Sequence, residues 1–494
     1  MSVARKILSN TAAQVVGKGF SAILSLIGVK IITYYLGQGS YGDYSYVYEF
    51  FALFAIIADF GLFTIAVREM SNDEENIPKI LGNVLTLRVI IGLTVFAGII
   101  TAGFFIPSHH DTQIPYAIMI AATASLIGLT NGIITSVLQQ KYKMQYDAII
   151  KVIGKLVQIV YMLLTAFVFF ADDTKAGFYH LFWSGVISSS VMLILSILFV
   201  RKYTPIRFRF DTDLIKGLLK KAAPYGLALF LSNLYFRIDG VLIYNIRGAH
   251  EAGLYAVAIK IREALALLPL FFINAVLPTL TKLIKEKRDR YEKVLQYTFD
   301  FQFMLSIPFL VGGLLLAIPL IYLVSTPEYV SRFSEGFYGS DIALQILLFS
   351  FVVGSLNIIF NYTLIAIGKQ SKLLWINGSC ALFNLIANLI VVPTYGFRGS
   401  AVATVVSEIF VLILVFTTAK RYLPFKISLN RAAKILVSAF LMGLAVFILE
   451  KPLLGALGQY GTLLLVMIGG LVYVGSLFAT KAITKDLIKM VAKN

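Results

Sequence analysis

Charged side chains are scarce in this sequence, at 14% of 494 residues, whereas hydrophobic residues make up 58%. A soluble protein of this length needs far more polar residues to cover its core. Apolar runs of about 20 residues, the length of a helix across a bilayer, recur along the chain. The runs are too continuous for the alternating strands of a membrane barrel. The sequence therefore predicts an all-α polytopic membrane protein.

Residues and motifs that form disulfides, metal sites, catalytic sites or nucleotide-binding loops are equally few. The one cysteine, Cys380, excludes an intrachain disulfide and a thiol pair for metal, so we interpret it as a buried structural thiol. None of the four histidines is placed with carboxylates that could form a metal or catalytic cluster. The chain has no Gly-rich loop for ATP phosphates. We therefore expect a transporter with no metal and no cofactor; an integral-membrane glycosyl-transferring ligase is an alternative, but it needs a large outer loop that this chain lacks.

The formal net charge of +17 would suggest a nucleic-acid partner in a soluble protein. Here Lys and Arg are concentrated in alternate connections, the pattern that sets membrane topology. It predicts a cell-membrane protein that has both termini in the cytoplasm and binds no nucleic acid. Arg5 and Lys6 precede an apolar run without a convincing cleavage site, which predicts a retained first helix.

Two inner connections are especially basic. Topology and attraction to anionic headgroups explain them; the sharper alternative is that they recruit an anionic lipid substrate to the inner leaflet. The first includes Arg201, Lys202, Arg207, Arg209, Lys216, Lys220 and Lys221, and the second Lys282, Lys285, Lys287, Arg288, Arg290 and Lys293.

The apolar segments predict fourteen transmembrane helices, followed by a short basic tail over 481–494 that lies on the inner surface. The predicted helices are 9–35, 41–66, 79–106, 114–137, 147–170, 178–200, 216–246, 252–280, 292–324, 340–367, 372–393, 397–421, 430–450 and 460–480.

An internal repeat relates the two halves of the chain. With an offset of 211 residues, Gly37 aligns with Gly248, Gly42 with Gly253, and Glu49 with Lys260, with further agreement at Tyr44 and Tyr255. Both copies are predicted to form a helix, a Gly-bearing turn and a second helix. Because six helices separate the copies, the repeat predicts two lobes related by a pseudo-twofold axis along the membrane normal. The expected domains are an N-lobe (1–205), a C-lobe (206–425) and two appended helices with the tail (426–494).

Ionisable residues inside predicted spans are costly, so they are functional candidates. Lys30 and Lys151 are close enough to helix ends to reach the interface, and Arg88 and Asp300 can be interfacial or paired. The bases are Lys18, Lys30, Arg88, Lys151, Lys155, Arg237, Lys260 and Arg262; the acids are Glu49, Asp59, Asp239, Glu263, Asp300 and Glu408.

Helical spacing places several of the deeper groups on shared faces. Asn233, Arg237 and Tyr244 form one stripe of the seventh predicted helix. Two interpretations stay open for these groups: structural ion pairs, such as Arg237 with Glu263 or Glu49, or a wet cationic cavity for an anionic ligand. The base excess favours the cavity for the group as a whole. The predicted substrate-binding residues are Lys18, Arg237, Lys260 and Arg262, and the acids predicted to couple an ion or to pair are Glu49, Asp59, Asp239 and Glu263.

Asparagines of the tenth and eleventh predicted helices form a further polar set. They fit interhelical hydrogen bonding, which we favour, or a wall that contacts sugar. They are Asn357, Asn361, Asn377, Asn384 and Asn388.

The chain resembles the polysaccharide-transporter branch, which includes O-antigen flippases, of the multidrug/oligosaccharidyl-lipid/polysaccharide exporter superfamily. The segments that carry this resemblance are 34–44 (with Tyr-Gly-Asp-Tyr at 41–44), 59–62 (Asp-Phe-Gly-Leu), Arg68-Glu69, 253–258 and Leu277-Pro278. The resemblance implies an alternating-access flippase for an anionic polyprenyl-linked oligosaccharide, with two lobes around a cationic cavity. It implies membrane lipids and glycan polymerase or ligase machinery as partners.

Two alternatives to a flippase remain. A multidrug exporter of the same superfamily extrudes organic cations and needs an excess of buried acid, whereas the predicted spans hold more bases than acids. A membrane scaffold for glycan assembly would not transport at all.

Overall fold

The structure, a computed structural model, describes residues 3–286, 290–332, 334, 336 and 338–483; it describes side chains throughout these ranges except at 3–13, 224, 225, 228, 232 and 285. The described chain consists of helices and their connections. The helices are α1 (Val3–Asp59), α2 (Leu62–Asn72), α3 (Ile77–Phe105), α4 (Ile114–Gln140), α5 (Met144–Leu164), α6 (Thr174–Val200), α7 (Thr212–Arg247), α8 (Ala249–Lys285), α9 (Arg290–Leu315), α10 (Ala317–Val324), α11 (Ser340–Ala366), α12 (Gln370–Tyr422), α13 (Ala432–Leu457) and α14 (Gly461–Ala479).

The helices confirm the predicted class of protein. Within the described ranges, ten helical stretches are long and apolar enough to cross a membrane, and no residue there forms a β-strand. Helices satisfy their backbone hydrogen bonds internally, as lipid requires. The chain is thus an all-α multi-pass membrane protein. The count of fourteen spans remains a prediction, and most of the predicted tail, 484–494, lies outside the described residues.

The two Gly-bearing turns of the repeat adopt the same backbone conformation. Gly37 interrupts α1 at φ 69° and ψ −178°, and Gly248 separates α7 from α8 at φ 88° and ψ −179°. Positive φ of this kind, with ψ near 180°, is strained for residues that carry a side chain. The shared geometry supports the local repeat that was inferred from the sequence.

The next glycine of each copy makes a close helix contact. A Cβ atom at Gly42 would overlap the backbone carbonyl of Ala249, and one at Gly253 would overlap the carbonyl of Gln38. Ala249 is the repeat counterpart of Gln38, and Gly253 is the counterpart of Gly42, so the two contacts are reciprocal. A reciprocal contact is what a local twofold relation produces.

Two breaks were not predicted. The second predicted helix (41–66) is divided after Asp59, because Phe60 (φ 46°) and Gly61 (φ 70°) are both left-handed. The Asp59 carboxylate accepts a hydrogen bond from the Gly61 N–H at 3.3 Å, which stabilises this corner. The ninth predicted helix (292–324) is likewise divided into α9 and α10.

The chain forms two compact units, residues 1–253 and 254–494. In the first unit, a buried apolar cluster joins α2, α3 and α4 to the start of α7 through residues such as Leu81, Ile133 and Leu218. In the second unit, α13 and α14 pack on α9 through Met442, Tyr473 and their neighbours. Packing thus groups α7 with the first unit. The lobe boundaries at 205 and 425 were inferred from the sequence repeat and not from packing. They remain a prediction.

Candidate functional site

One face of α7 binds α1 through polar side chains, most of which are partly buried. Asn233 Nδ2 donates to the Ala52 carbonyl at 2.7 Å, and Tyr244 Oη donates to Asp43 Oδ1 at 2.7 Å. Between them, Arg237 Nη1 donates to both Glu49 carboxylate oxygens, at 2.9 and 3.0 Å. These three α7 side chains belong to the stripe that helical spacing predicts. The stripe holds an ion pair inside the first unit.

The Arg237–Glu49 pair is only partly shielded from its surroundings. The Arg237 side chain is 27% exposed and that of Glu49 is 12% exposed. A Cβ atom at Gly240 would lie 3.2 Å from Glu49 Cγ, so this glycine leaves room for the carboxylate. A pair in this position is stabilising only while both charges are present, because removal of one leaves the other in an apolar region.

The second unit holds two further pairs on α8. Lys260 Nζ lies 3.0 Å from Glu263 Oε2 of the next helical turn, and both side chains are about one-third exposed. Arg262 Nη2 lies 3.0 Å from Glu408 Oε1 of α12, and both side chains are mostly buried. Asn357 Nδ2 donates to the other Glu408 oxygen at 2.6 Å. The predicted substrate-binding bases Arg237, Lys260 and Arg262 thus have carboxylate partners in this structure.

Glu408 is the partner that sequence reasoning did not place in the site. It was counted among the in-span acids, but Arg262 and Glu408 are 146 residues apart and lie on different helices, so helical periodicity cannot connect them. The available signal was that Glu408 is an acid inside a predicted span with no Lys or Arg within one helical turn. The Nε atom of Arg262 is buried without a hydrogen-bond partner, so this guanidinium retains donor capacity.

Two further predicted site residues of the first unit, Lys18 and Asp239, differ in their exposure. Lys18 lies on α1 with an exposed side chain. Asp239 is buried on α7, two residues after Arg237. Their predicted roles in binding and coupling remain proposals.

Asp59, another of the acids predicted to couple an ion or to pair, binds Arg88 of α3. Arg88 is 1% exposed; its Nη1 donates to the Ala58 carbonyl at 3.0 Å and its Nη2 to Asp59 Oδ1 at 2.6 Å. Arg88 therefore caps the C-terminal end of α1 at the Asp59–Gly61 corner. A cavity of about 310 Å³ lies beside this corner, with Asn131 and Lys151 in its wall. Arg88 was expected to be interfacial or paired, and its deep burial was not expected.

The asparagines of the second unit bond to neighbouring helical segments. Asn384 Nδ2 donates to Ser407 Oγ at 3.2 Å, and Ser400 Oγ donates to Asn388 Oδ1 at 2.6 Å. These bonds join the parts of α12 on either side of Gly396, which has φ 58°. Hydrogen bonding between helical segments, the favoured interpretation, agrees with this arrangement for Asn384 and Asn388.

His109, between α3 and α4, is buried in a hydrogen-bond network. Nδ1 must donate to the Gly103 carbonyl at 2.8 Å, so Nε2 accepts from Tyr46 Oη at 2.7 Å. Burial lowers the pKa of His109, and the bond to Gly103 offsets this only in part. In the described part of the chain, no three His, Cys, Asp or Glu residues are arranged to hold a metal.

This network predicts a pH effect on stability. A histidine whose folded pKa is depressed stabilises the fold fully above its unfolded pKa of about 6.5, and stability declines as pH falls from there towards the folded pKa. We expect the thermal midpoint of the wild type to fall more between pH 7 and pH 5 than that of His109→Gln. The matched control is His250→Gln, at an exposed histidine away from this network, which should keep the wild-type slope. Equal slopes for all three proteins would contradict the assignment.

Comparisons with known proteins agree with this architecture. The sequence model of a family described as "Polysaccharide biosynthesis protein" matches residues 7–284, and the MatE model matches residues 224–390. No curated protein matches the chain in sequence.

Several solved structures share the fold. An inward closed structure of the lipid II flippase MurJ aligns with a TM-score of 0.71 over 93% of this chain and 97% of that one, at 17% identity. An inward-facing multidrug resistance MATE family transporter of the MOP superfamily aligns at 0.68 over 81% and 94%, at 16% identity. A MOP superfamily transporter from Pyrococcus furiosus, described as having a binding pocket of reverse polarity, aligns at 0.62 over 84% and 95%, at 16% identity.

Proposed function

Because this chain belongs to the polysaccharide biosynthesis protein family, whose model spans more than half of it, we propose that it is a flippase for lipid-linked glycans. It moves a polyprenyl-(pyro)phosphate-linked oligosaccharide from the inner to the outer leaflet by alternating access, for assembly of a surface polysaccharide such as O-antigen. It does so in the cell membrane with both termini cytoplasmic, it is a transporter rather than an enzyme, and it hands its product to glycan polymerase or ligase machinery. Fold similarity to MurJ, described as a lipid II flippase, supports this function.

The observation that carries the proposal is the half-shielded Arg237–Glu49 pair on the α1–α7 face. A phosphate presents oxygens with the spacing that a guanidinium recognises, as a carboxylate does. The substrate headgroup can therefore replace Glu49 as the partner of Arg237 without leaving a bare charge in the membrane. Release of the headgroup restores the Glu49 pair.

In this proposal the other predicted bases, each within its own unit, also bind phosphate oxygens. Lys18 supplies a compact positive charge from the first unit, while Lys260 and Arg262 exchange Glu263 and Glu408 for phosphate oxygens. The sugars stay in water and the polyprenyl tail stays in lipid. An inside-negative potential favours outward movement of an anion by about 2.3 kcal/mol per charge for each 100 mV crossed.

A multidrug exporter is the second candidate, supported by the MatE match over residues 224–390 and by the MATE folds. Such a protein would use Glu49, Asp59, Asp239 or Glu263 as a proton- or cation-coupled acid. Efflux of organic cations driven by a Na⁺ or H⁺ gradient, without flipping of lipid-linked sugar, would select it.

A flipping assay on the Arg237–Glu49 pair tests the proposal. Proteoliposomes receive a fluorescent polyprenyl-diphosphate sugar, and transport is read from its accessibility to a quencher on each side. Arg237→Gln is expected to reduce flipping roughly 10- to 100-fold, because a hydrogen bond to a charged group contributes about 1.5–3 kcal/mol. Glu49→Gln should retain binding of the diphosphate, because it removes a competitor and not a donor.

The double variant Arg237→Gln/Glu49→Gln, which removes both charges, distinguishes a loss of substrate binding from a loss of stability. It leaves no unpaired charge, so it should recover much of the stability lost in Arg237→Gln while flipping stays low. The matched control is Lys151→Gln, the same charge change at an exposed lysine of α5, which should flip normally. Recovery of flipping in the double variant would assign the pair a purely structural role.

A further inference from the structure

The connection between α6 and α7 is fixed against the beginning of α3. Arg209 N–H donates to the Gly82 carbonyl at 3.3 Å, and Asp211 N–H donates to Asn83 Oδ1 at 2.6 Å. Lys79 Nζ lies 2.7 Å from Asp211 Oδ2. A Cβ atom at Gly82 would overlap the carbonyl of Arg207, so the backbones are in direct contact. Residues 205–211, the strap, therefore follow a defined path across the end of an apolar helix.

The strap presents arginine and phenylalanine in alternation. Its residues 205–210 have no regular secondary structure, and Arg207, Phe208, Arg209 and Phe210 are all exposed. The two phenylalanines are 67% and 66% exposed. In the described ranges of the chain, neither arginine forms an ion pair, and the nearby Asp211 is occupied by Lys79. Exposure of two aromatic rings to water is unfavourable, whereas the guanidinium groups beside them can bind an anion.

We propose that the strap is a binding site for the headgroups of anionic phospholipids. The guanidinium groups bind headgroup phosphates through paired N–H donors. The phenyl rings enter the boundary between headgroups and acyl chains, as apolar side chains of interfacial segments do. Membrane topology alone requires positive charge somewhere in the connection; it requires neither interleaved aromatic rings nor a path fixed on α3. The proposal holds whatever substrate the protein transports.

Fluorescence quenching tests this binding. Phe208→Trp is introduced into a Trp183→Phe/Trp375→Phe background, so that it is the one tryptophan, and the protein is placed in nanodiscs of phosphatidylcholine and phosphatidylglycerol. Bromine is carried on one lipid or on the other, at equal mole fraction. We expect brominated phosphatidylglycerol to quench more strongly. Each guanidinium should favour the anionic lipid roughly fivefold, which is about 1 kcal/mol converted at 1.4 kcal/mol per tenfold.

Paired substitutions identify the groups responsible. Arg207→Gln/Arg209→Gln should make the two brominated lipids quench equally. Lys216→Gln/Lys220→Gln removes the same charge from exposed lysines at the start of α7 and should leave the preference intact. Equal quenching in the parent, or an equal loss with the lysine pair, would overturn the proposal.

A second measurement uses the native tryptophans and does not depend on the substituted background. Phosphatidylglycerol added to the detergent-purified chain should raise the thermal midpoint more than phosphatidylcholine does. The rise should disappear in Arg207→Gln/Arg209→Gln and persist in Lys216→Gln/Lys220→Gln. A rise that is the same for both lipids would contradict a specific headgroup site.

Discussion

Gly42→Ala is expected to destabilise the protein by about 3 kcal/mol or more, although alanine is the better helix former. The added Cβ would occupy the position of the Ala249 carbonyl, so the backbones of α1 and α8 would have to separate. Gly39→Ala, three residues earlier on the same helix, meets no atom within 4 Å. It should be neutral or stabilise the helix by about 0.5–1 kcal/mol. The two substitutions should therefore differ in sign.

Thermal unfolding of the detergent-purified variants, followed by fluorescence-detected size exclusion, measures this difference. Gly253→Ala, at the reciprocal contact with Gln38, should resemble Gly42→Ala. The double variant should cost less than the sum of the two single variants, because one separation of the backbones relieves both overlaps. A Gly42→Ala protein as stable as Gly39→Ala would show that the two helices do not touch here.

Arg88→Ala is expected to cost about 3–5 kcal/mol. It removes a guanidinium that is 1% exposed and leaves Asp59 and the Ala58 carbonyl without their donor. Arg88→Met/Asp59→Asn, which fills much of the space with an apolar chain and removes the second charge, should recover a large part of this loss.

The exposed Lys141–Glu74 pair supplies the contrast. Its charged atoms lie 2.9 Å apart, but the side chains are 31% and 64% exposed. Lys141→Ala should therefore cost less than about 1 kcal/mol, since exposed pairs contribute little. If chemical unfolding gives Arg88→Ala and Lys141→Ala similar costs, the corner at Asp59 is not held by Arg88.

The sequence predicted those features that depend on neighbours along the chain. Apolar run length gave the membrane class, and the spacing of Asn233, Arg237 and Tyr244 placed them on one face. The aligned glycines Gly37 and Gly248 gave two turns of the same geometry. Each of these patterns is contained within a single helix or turn, where periodicity and backbone sterics act directly.

The sequence could not decide between possible partners of the charged residues; for Arg237 it left Glu263 and Glu49 as alternatives. Arg237 and Glu49 are 188 residues apart, and Arg262 and Glu408 are 146 apart. Only the packing of helices decides which acid meets which base. The corner after Asp59 depends likewise on Arg88, 29 residues away. The bases and acids inside the predicted spans could be identified as functional candidates by counting them. The count did not show which acid pairs with which base.

The bend in α12 has a mechanical consequence. The Ser400–Asn388 bond crosses it at 2.6 Å between fully buried side chains, and the Asn384–Ser407 bond lies behind it. Straightening α12 at Gly396 would break both bonds in a dry environment, where an unsatisfied polar group is expensive. These two hydrogen bonds therefore make the bend rigid, and α12 is not expected to flex at Gly396. Flexing of this unit is better accommodated by α8, where Pro269 and Pro278 each remove a backbone donor.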